Sequence, residues 1–241
     1  MSHILYCGDG KLNGAAAYLA SVLQLLRRRF DYVPSETRFP RHALKREYSA
    51  YILSDYPSSR FEDGDLKKIL NRVREGASLL MIGGWGSFHG KDGLYGSKPL
   101  AQALPVRCSR RDDRVQGDFT YRIVGGKSGR WSGLSLRTAP GIAGYNKASA
   151  LPNSQVHLNV HAYGFEGSAL RVLRKDPLLV TGRFGAGKTA AYLSDLAPHW
   201  AGGLVDWGSK RVKLATPSGK SVEVGETYPR FVKALLEMVK P

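Results

Sequence analysis

The sequence predicts an α/β fold: a mainly parallel sheet covered by helices, continued in its C-terminal half by antiparallel strands. Three observations carry that expectation. Leu79-Leu80-Met81-Ile82 is apolar without alternation and ends in Gly83-Gly84, the pattern of a strand buried on both faces of a parallel sheet. The elements up to that run follow the order β-α-β-β-α-β, which suits parallel strands joined by helical crossovers. After Cys108 the texture changes to short strand-like pieces separated by Gly, Ser, Asn and Pro.

Taken in order, His3 to Cys7 forms the first strand and Gly8-Asp9-Gly10 its turn. Ala15, Tyr18, Leu19, Val22 and Leu26 recur at helical spacing, and Arg27-Arg28-Arg29 closes that helix, as the dipole favours. Asp31 to Val33 is a second strand halted by Pro34. Tyr51-Ile52-Leu53 is a third, running into the turn Ser54-Asp55-Tyr56-Pro57-Ser58. A second helix carries Leu66, Ile69, Leu70 and Val73 and ends at Gly76. The central strand Leu79 to Ile82 follows. Phe119 to Val124, Gln155 to Val160 and Leu170 to Leu173 are the pieces of a β-rich extension at about 109–180. No linker-like tract sets it apart, so a single domain over 1–241 is expected. A hairpin of Val212 to Leu214 and Val222 to Val224 turns at Pro217-Ser218-Gly219; with a final helix bearing Tyr228, Phe231, Leu235 and Met238 it occupies about 208–240.

Composition narrows the function classes. Hydrophobic content of 42% and charged content of 23% are ordinary for a globular protein. No apolar run reaches the roughly 18 residues of a membrane span, and Ile4-Leu5-Tyr6-Cys7 follows the first Met without a basic leader; no membrane partner and a cytoplasmic location are expected. Two cysteines, Cys7 and Cys108, make neither a disulfide framework nor a metal cluster. His3, His42, His157 and His161 show no ligand spacing, so no metal and no cofactor are expected. The net charge of +16 favours encounter with anions. Its basic residues are dispersed and accompany no nucleic-acid motif, which argues against specific nucleic-acid binding. A homo-oligomer stays open.

Gly182-Arg183-Phe184-Gly185-Ala186-Gly187-Lys188-Thr189 satisfies the phosphate-binding pattern G-x-x-x-x-G-K-[ST]. Its context does not. The segment Thr189 to Ser194 is short and leads to Asp195 and Pro198, which suits a strand, and too little chain follows to complete a nucleotide-binding sheet. The expected structure is a β-hairpin of Leu178 to Thr181 and Thr189 to Leu193 around a glycine-rich turn.

Four ordered segments carry a resemblance: Tyr51 to Pro57, Gly83-Gly84-Trp85-Gly86-Ser87-Phe88-His89-Gly90, Gly144-Tyr145-Asn146 and Ser194-Asp195-Leu196-Ala197-Pro198-His199-Trp200. Through them the chain resembles the glutamine amidotransferase-like family of the class I glutamine amidotransferase-like superfamily, near the trehalose-utilisation-like proteins. The resemblance implies a flavodoxin-like three-layer sandwich with a ligand crevice at the carboxyl ends of the parallel strands. Glutaminases of that superfamily carry a nucleophilic Cys in a strand-to-helix elbow, with a His later in the chain. Here the elbow reads Gly84-Trp85-Gly86-Ser87 and holds no Cys; His199 falls in the place of the family His, and Trp200 stands where an acid is expected. Ordinary glutamine hydrolysis is therefore not expected.

The candidate catalytic residues are His199, Asp195 and Ser87. Ser87 is either a substitute nucleophile or the cap of a following helix. His199 is either a base or donor, or a residue packed on Trp200. Asp195 either orients His199 or caps its own loop. The candidate ligand-binding residues are Asp9, Asp55, Tyr56, Gly84, Trp85, Gly86, Tyr145 and Asn146, with the Trp85 to Ser87 amides as an anion nest. Cys7 reads as a buried apolar residue and Glu36 as solvent-exposed. Two functional readings follow: a small-molecule site, polar or anionic, with little or no glutaminase activity, or a hydrolase or transferase using His199 with Ser87 or water. Polyanion binding through the basic surface is a weaker third.

Overall fold

In the computed structural model, which describes residues 3–126, 131 and 133–240, one nine-stranded sheet runs through both halves of the chain. β1 (His3–Gly8), α1 (Ala16–Leu25), β2 (Arg29–Val33), β3 (Ala50–Ser54), α2 (Asp63–Glu75) and β4 (Ser78–Ile82) form the N-terminal half. β5 (Val106–Arg107), β6 (Arg114–Gly125), β7 (Ile142–Asn146), β8 (Ser149–Ala150), β9 (Gln155–Glu166), β10 (Ala169–Phe184) and β11 (Gly187–Tyr192) follow. α3 (Pro198–Ala201), β12 (Arg211–Ala215), β13 (Ser221–Gly225) and α4 (Tyr228–Glu237) complete the chain.

The sheet order is β2-β1-β3-β4-β11-β10-β9-β6-β7. The first five strands are mutually parallel and the remainder antiparallel. This is the flavodoxin-like α/β arrangement with its antiparallel continuation. β4 sits inside the sheet, and Leu79, Leu80, Met81 and Ile82 are wholly buried, each contributing about 2 kcal/mol relative to exposure. Glu62 and Asp65 form a capping box at the start of α2, and Gly76 at φ 130° ends it, satisfying helix-end amides and carbonyls.

Several expectations change in detail. α1 ends at Leu25; Arg27 lies beyond it with φ 53° and Arg29 already belongs to β2, so the arginine run does not close the helix. The pieces 170–173 and 178–181 are one strand. β10 carries Arg174-Lys175-Asp176-Pro177 through register shifts against β9, bulges that absorb a proline and its polar neighbours in a ladder. No helix follows β4: the chain coils back, with amides of Lys91 and Asp92 on the Trp85 carbonyl and Tyr95 N–H on Phe88 O, before a short 3₁₀ turn at Tyr95–Ser97. The extension at 109–180 includes positions 127–130 and 132, which lie outside the described residues.

The motif at 182–189 is the predicted hairpin. β10 and β11 pair from Leu179↔Tyr192 to Phe184↔Gly187 around Gly185-Ala186, and Lys188 Nζ donates to the Lys240 carbonyl at 2.6 Å. With no helix start and the lysine committed elsewhere, no phosphate cradle exists. Calorimetry with ATP and Mg²⁺ is expected to show no binding, and Lys188→Ala no change. Gly8, at φ 141°, marks the crowded end of β1: a Cβ there would fall inside the Ser54 carbonyl. Gly8→Ala is expected to cost about 3 kcal/mol or more in urea unfolding.

Candidate functional site

The register of the parallel strands sets out the site. Gly8 pairs with Ser54, Ser54 with Ile82 and Ile82 with Tyr192, so Asp9, Asp55, Gly83 and, slightly further on, Asp195 leave the sheet at one edge. There an open cleft of about 810 Å³ is lined by Asp9, Asp55 and Asp195, by Trp85 and His199, and by Lys11, Asn13, Tyr18 and Ser35. This is the carboxyl-end crevice at which α/β sheets bind ligands.

Both aspartates that end β1 and β3 are held in the left-handed region, Asp9 at φ 53° and Asp55 at φ 49°, where non-glycine residues are uncommon and Asp is among the better tolerated. Asp9 N–H donates to Ser54 O at 2.9 Å, and its Oδ2 accepts from the Tyr6 hydroxyl at 2.5 Å. Asp55 Oδ1 accepts from Gly86 N–H, while Asp55 N–H donates to Ser87 Oγ at 3.0 Å. Gly84, at φ 151°, lies against this carboxylate; a Cβ there would come within 2.7 Å of it. Asp195 Oδ1 accepts from Leu196 and Ala197 N–H at 2.6 and 3.0 Å, a capping of its own loop.

Placement separates the candidates. Asp9, Asp55, Trp85, Asp195 and His199 meet in the cleft. Ser87 does not: it is 1% exposed, and its hydroxyl is closed between Ile82 O, to which it donates at 2.5 Å, and Asp55 N–H. It caps no helix, since none follows. His199 stands exposed in α3 with its ring 5.7 Å from that of Trp85, and no hydrogen bond joins it to Asp195 or Ser87.

Tyr56, Tyr145 and Asn146 are buried away from the cleft. The Tyr56 hydroxyl donates to Thr37 O at 2.9 Å. The Tyr145 hydroxyl donates to Asp176 Oδ2 at 2.5 Å and accepts from Arg174 Nε at 3.1 Å. Asn146 instead shapes the turn: its Oδ1 accepts from Gly84 N–H at 2.9 Å and its Nδ2 donates to Gly84 O and to Asp113 Oδ1. The anion nest is also closed from within, because the Gly86 amide already holds the Asp55 carboxylate.

Two contributors were missed by the sequence reading. Asp113 accepts from His89 N–H, Gly90 N–H and Asn146 and so pins the loop after the turn. Arg114, fixed by Asp112, places its guanidinium 4.5 Å from the Trp85 ring centre, a cation–π contact that orients the indole. The run Asp112-Asp113-Arg114 gave only the signal of a polar loop, since its partners lie far off in sequence.

Burial dominates the electrostatics. Among the described residues no ion pair joins Asp9, Asp55 or Asp195 to a lysine or arginine. Burial, then the Asp195 charge, pushes Asp9 well above the carboxylate range against the Tyr6 hydrogen bond. Asp195 is pushed up to about 7 by burial and by Asp55, against its two backbone amides. Asp55 is raised by burial, opposed by the Gly86 amide.

An Asp195 that ionises near 7 when folded and near 4 when unfolded keeps an extra proton in the folded state between those values. Stability from this group is therefore full below about pH 4 and falls as pH rises toward 7. Asp195→Asn retains an acceptor for the two amides and removes the charge. It is expected to stabilise the chain at pH 8 by on the order of a few kcal/mol, with the gain vanishing by pH 4. Urea unfolding at the two pH values measures it; a gain independent of pH would contradict the assignment.

Comparison with known proteins agrees with this architecture. A cytoplasmic protein of Salmonella typhimurium is similar over 98% of each chain at 25% identity, with a TM-score of 0.73. A second, from Salmonella typhimurium LT2, is similar over 99% of this chain and 100% of its own at 28% identity, with a TM-score of 0.72. A ThuA-like protein of Bacteroides uniformis shares the fold at 8% identity and TM-score 0.52, over 99% of this chain and 91% of its own. No curated protein matches the sequence. No helix among the described residues is long and apolar enough to cross a membrane. Residues 9–214 match the family described as "Putative glutamine amidotransferase", and the chain belongs to that family.

Proposed function

We propose that this chain is a glutamine amidotransferase-like protein that binds a small polar molecule in the Asp9–Asp55–Asp195 cleft, in the cytoplasm, with little or no glutaminase activity. The observation that carries the reading is the state of Ser87. It occupies the elbow position, yet its hydroxyl is buried and held on both sides, by the Ile82 carbonyl and the Asp55 amide. A hydroxyl becomes a nucleophile only beside a base that takes its proton; here its proton rests on a carbonyl, and His199 is not in contact. No thiol replaces it. Cys7 lies inside β1, fully buried, with its thiol raised far above the usual range by that burial, and Cys108 is pushed up to about 12 for the same reason. Neither lines the cleft.

Two features support ligand binding in place of catalysis. Trp85 stays 37% exposed over the cleft, held from behind by Arg114, and offers a rigid apolar surface. The carboxylates and His199 supply convergent polar groups around it. The anionic version of the reading loses its support with the nest, which Asp55 fills, so the polar molecule is neutral or cationic.

Incubation with glutamine, with released ammonia followed, is expected to give a rate equal to the protein-free control. Cys7→Ser and Ser87→Ala should leave that rate unchanged. Turnover abolished by either substitution would overturn the reading and identify the nucleophile.

A further inference from the structure

The cleft gathers carboxyl groups that no lysine or arginine among the described residues answers. Buried carboxylates are ordinarily paired with a cation or fully hydrogen-bonded. Asp195 is 6% exposed and lines the cleft, yet only its Oδ1 is engaged; among the described residues nothing donates to Oδ2. Asp9, also 6% exposed, and Asp55 add two more carboxyl groups to the same space. No lysine or arginine nearby is spent on them. Among the described residues Lys11 at the rim forms no ion pair and Arg114 is bound to Asp112, while His199, packed on Trp85, acts on Asp55 alone of the three. In a chain of net charge +16 this cleft gathers three carboxyl groups that no lysine or arginine among the described residues pairs with.

We infer that the ligand of this cleft carries a protonated amine, seated on the free Oδ2 of Asp195 and flanked by Asp9 and Asp55. This deepens, and rests on, the reading of the cleft as a small-molecule site. An ammonium group has three donors and no acceptor, which suits a pocket rich in acceptors, and its charge replaces the counter-ion that the fold omits. A neutral hydroxyl answers the hydrogen bond but leaves the charge; an anion meets three carboxyl groups.

The groups facing Asp195 set the pH dependence. Asp9 leaves β1 and Asp55 leaves β3; burial and the Asp55 charge disfavour ionisation of Asp195, and the Asp195 charge in turn raises Asp9. The phenols of Tyr6, Tyr192 and Tyr228 surround it from β1, β11 and α4 and stay neutral through the physiological range. His199 on α3 and Lys11 stand at the cleft mouth. An amine that pairs with the ionised form must expel the proton Asp195 holds near and below pH 7, so binding tightens as pH rises and releases protons.

Three six-carbon probes isolate the charge: glucamine, with a primary ammonium; sorbitol, with a hydroxyl there; and gluconate, with a carboxylate. Calorimetry on the full chain at pH 6 and pH 8, in two buffers of different ionisation enthalpy, is expected to show glucamine binding about tenfold tighter than sorbitol at pH 8. Gluconate should be weakest, and glucamine should release protons at pH 6. Asp195→Asn, with folding checked by circular dichroism, should bring glucamine to the level of sorbitol. Lys67→Ala, which removes an exposed cation of α2 outside the cleft, should leave glucamine affinity unchanged.

Sorbitol binding as tightly as glucamine would overturn the amine while leaving a small-molecule cleft. Gluconate binding tightest, no saturable glucamine binding, or a preference for glucamine that survives Asp195→Asn would each overturn it as well. None of these arms depends on ammonia release from glutamine, which tests the parent reading separately.

Discussion

The Asp55 carboxylate, which reaches from the end of β3 into the turn after β4, is the constraint from which the rest of the site follows. Two chain segments close on each other through it. The Gly86 amide donates to Asp55 Oδ1, and the Asp55 amide donates to Ser87 Oγ. The closeness of the two turns demands glycine at position 84, where the carboxylate occupies the space a side chain would need. Each partner thus satisfies a polar group of the other, as buried polar groups require. What results is a rigid rim on which Trp85 stands, and a turn whose amides are no longer available to anything else.

That rim also holds the Ser87 hydroxyl between the Ile82 carbonyl and the Asp55 amide. A reactive elbow draws on the N-terminus of a following helix, where amides and dipole favour a developing negative charge. The chain after Ser87 winds instead into a loop pinned by Asp113 and Asn146. The turn after β4 therefore carries a serine without a helix N-terminus behind it.

Much of the scaffold was legible in the sequence, because apolar runs and helical spacing report burial directly. Leu79 to Ile82, the two amphipathic helices and the 182–189 hairpin all fall where pattern and context put them. Asp9, Asp55 and Asp195 were legible as strand-end acids, since strand ends in a parallel sheet share one edge. Their company was not. Whether a polar residue beside a glycine turn faces the cleft or bonds into the structure depends on partners far off in sequence: Asn146 acts on Gly84 and Tyr145 on Asp176. The unity of β10 was hidden for a similar reason, as the bulges that carry Pro177 leave no trace in local composition.

The position of β11 has a consequence for how the chain is made. β4 is inside the sheet only because Thr189 to Tyr192 pair with Leu79 to Ile82, and more than a hundred residues separate the two strands. At roughly 5–20 residues per second, the ribosome leaves β4 without its neighbour for about 5–20 seconds. Throughout that interval the most apolar strand of the protein offers a bare edge, while β5 to β10 emerge with strands of their own to pair. The finished sheet conceals the exposure through which it was assembled, and the nascent chain is where this fold meets its greatest risk of mispairing.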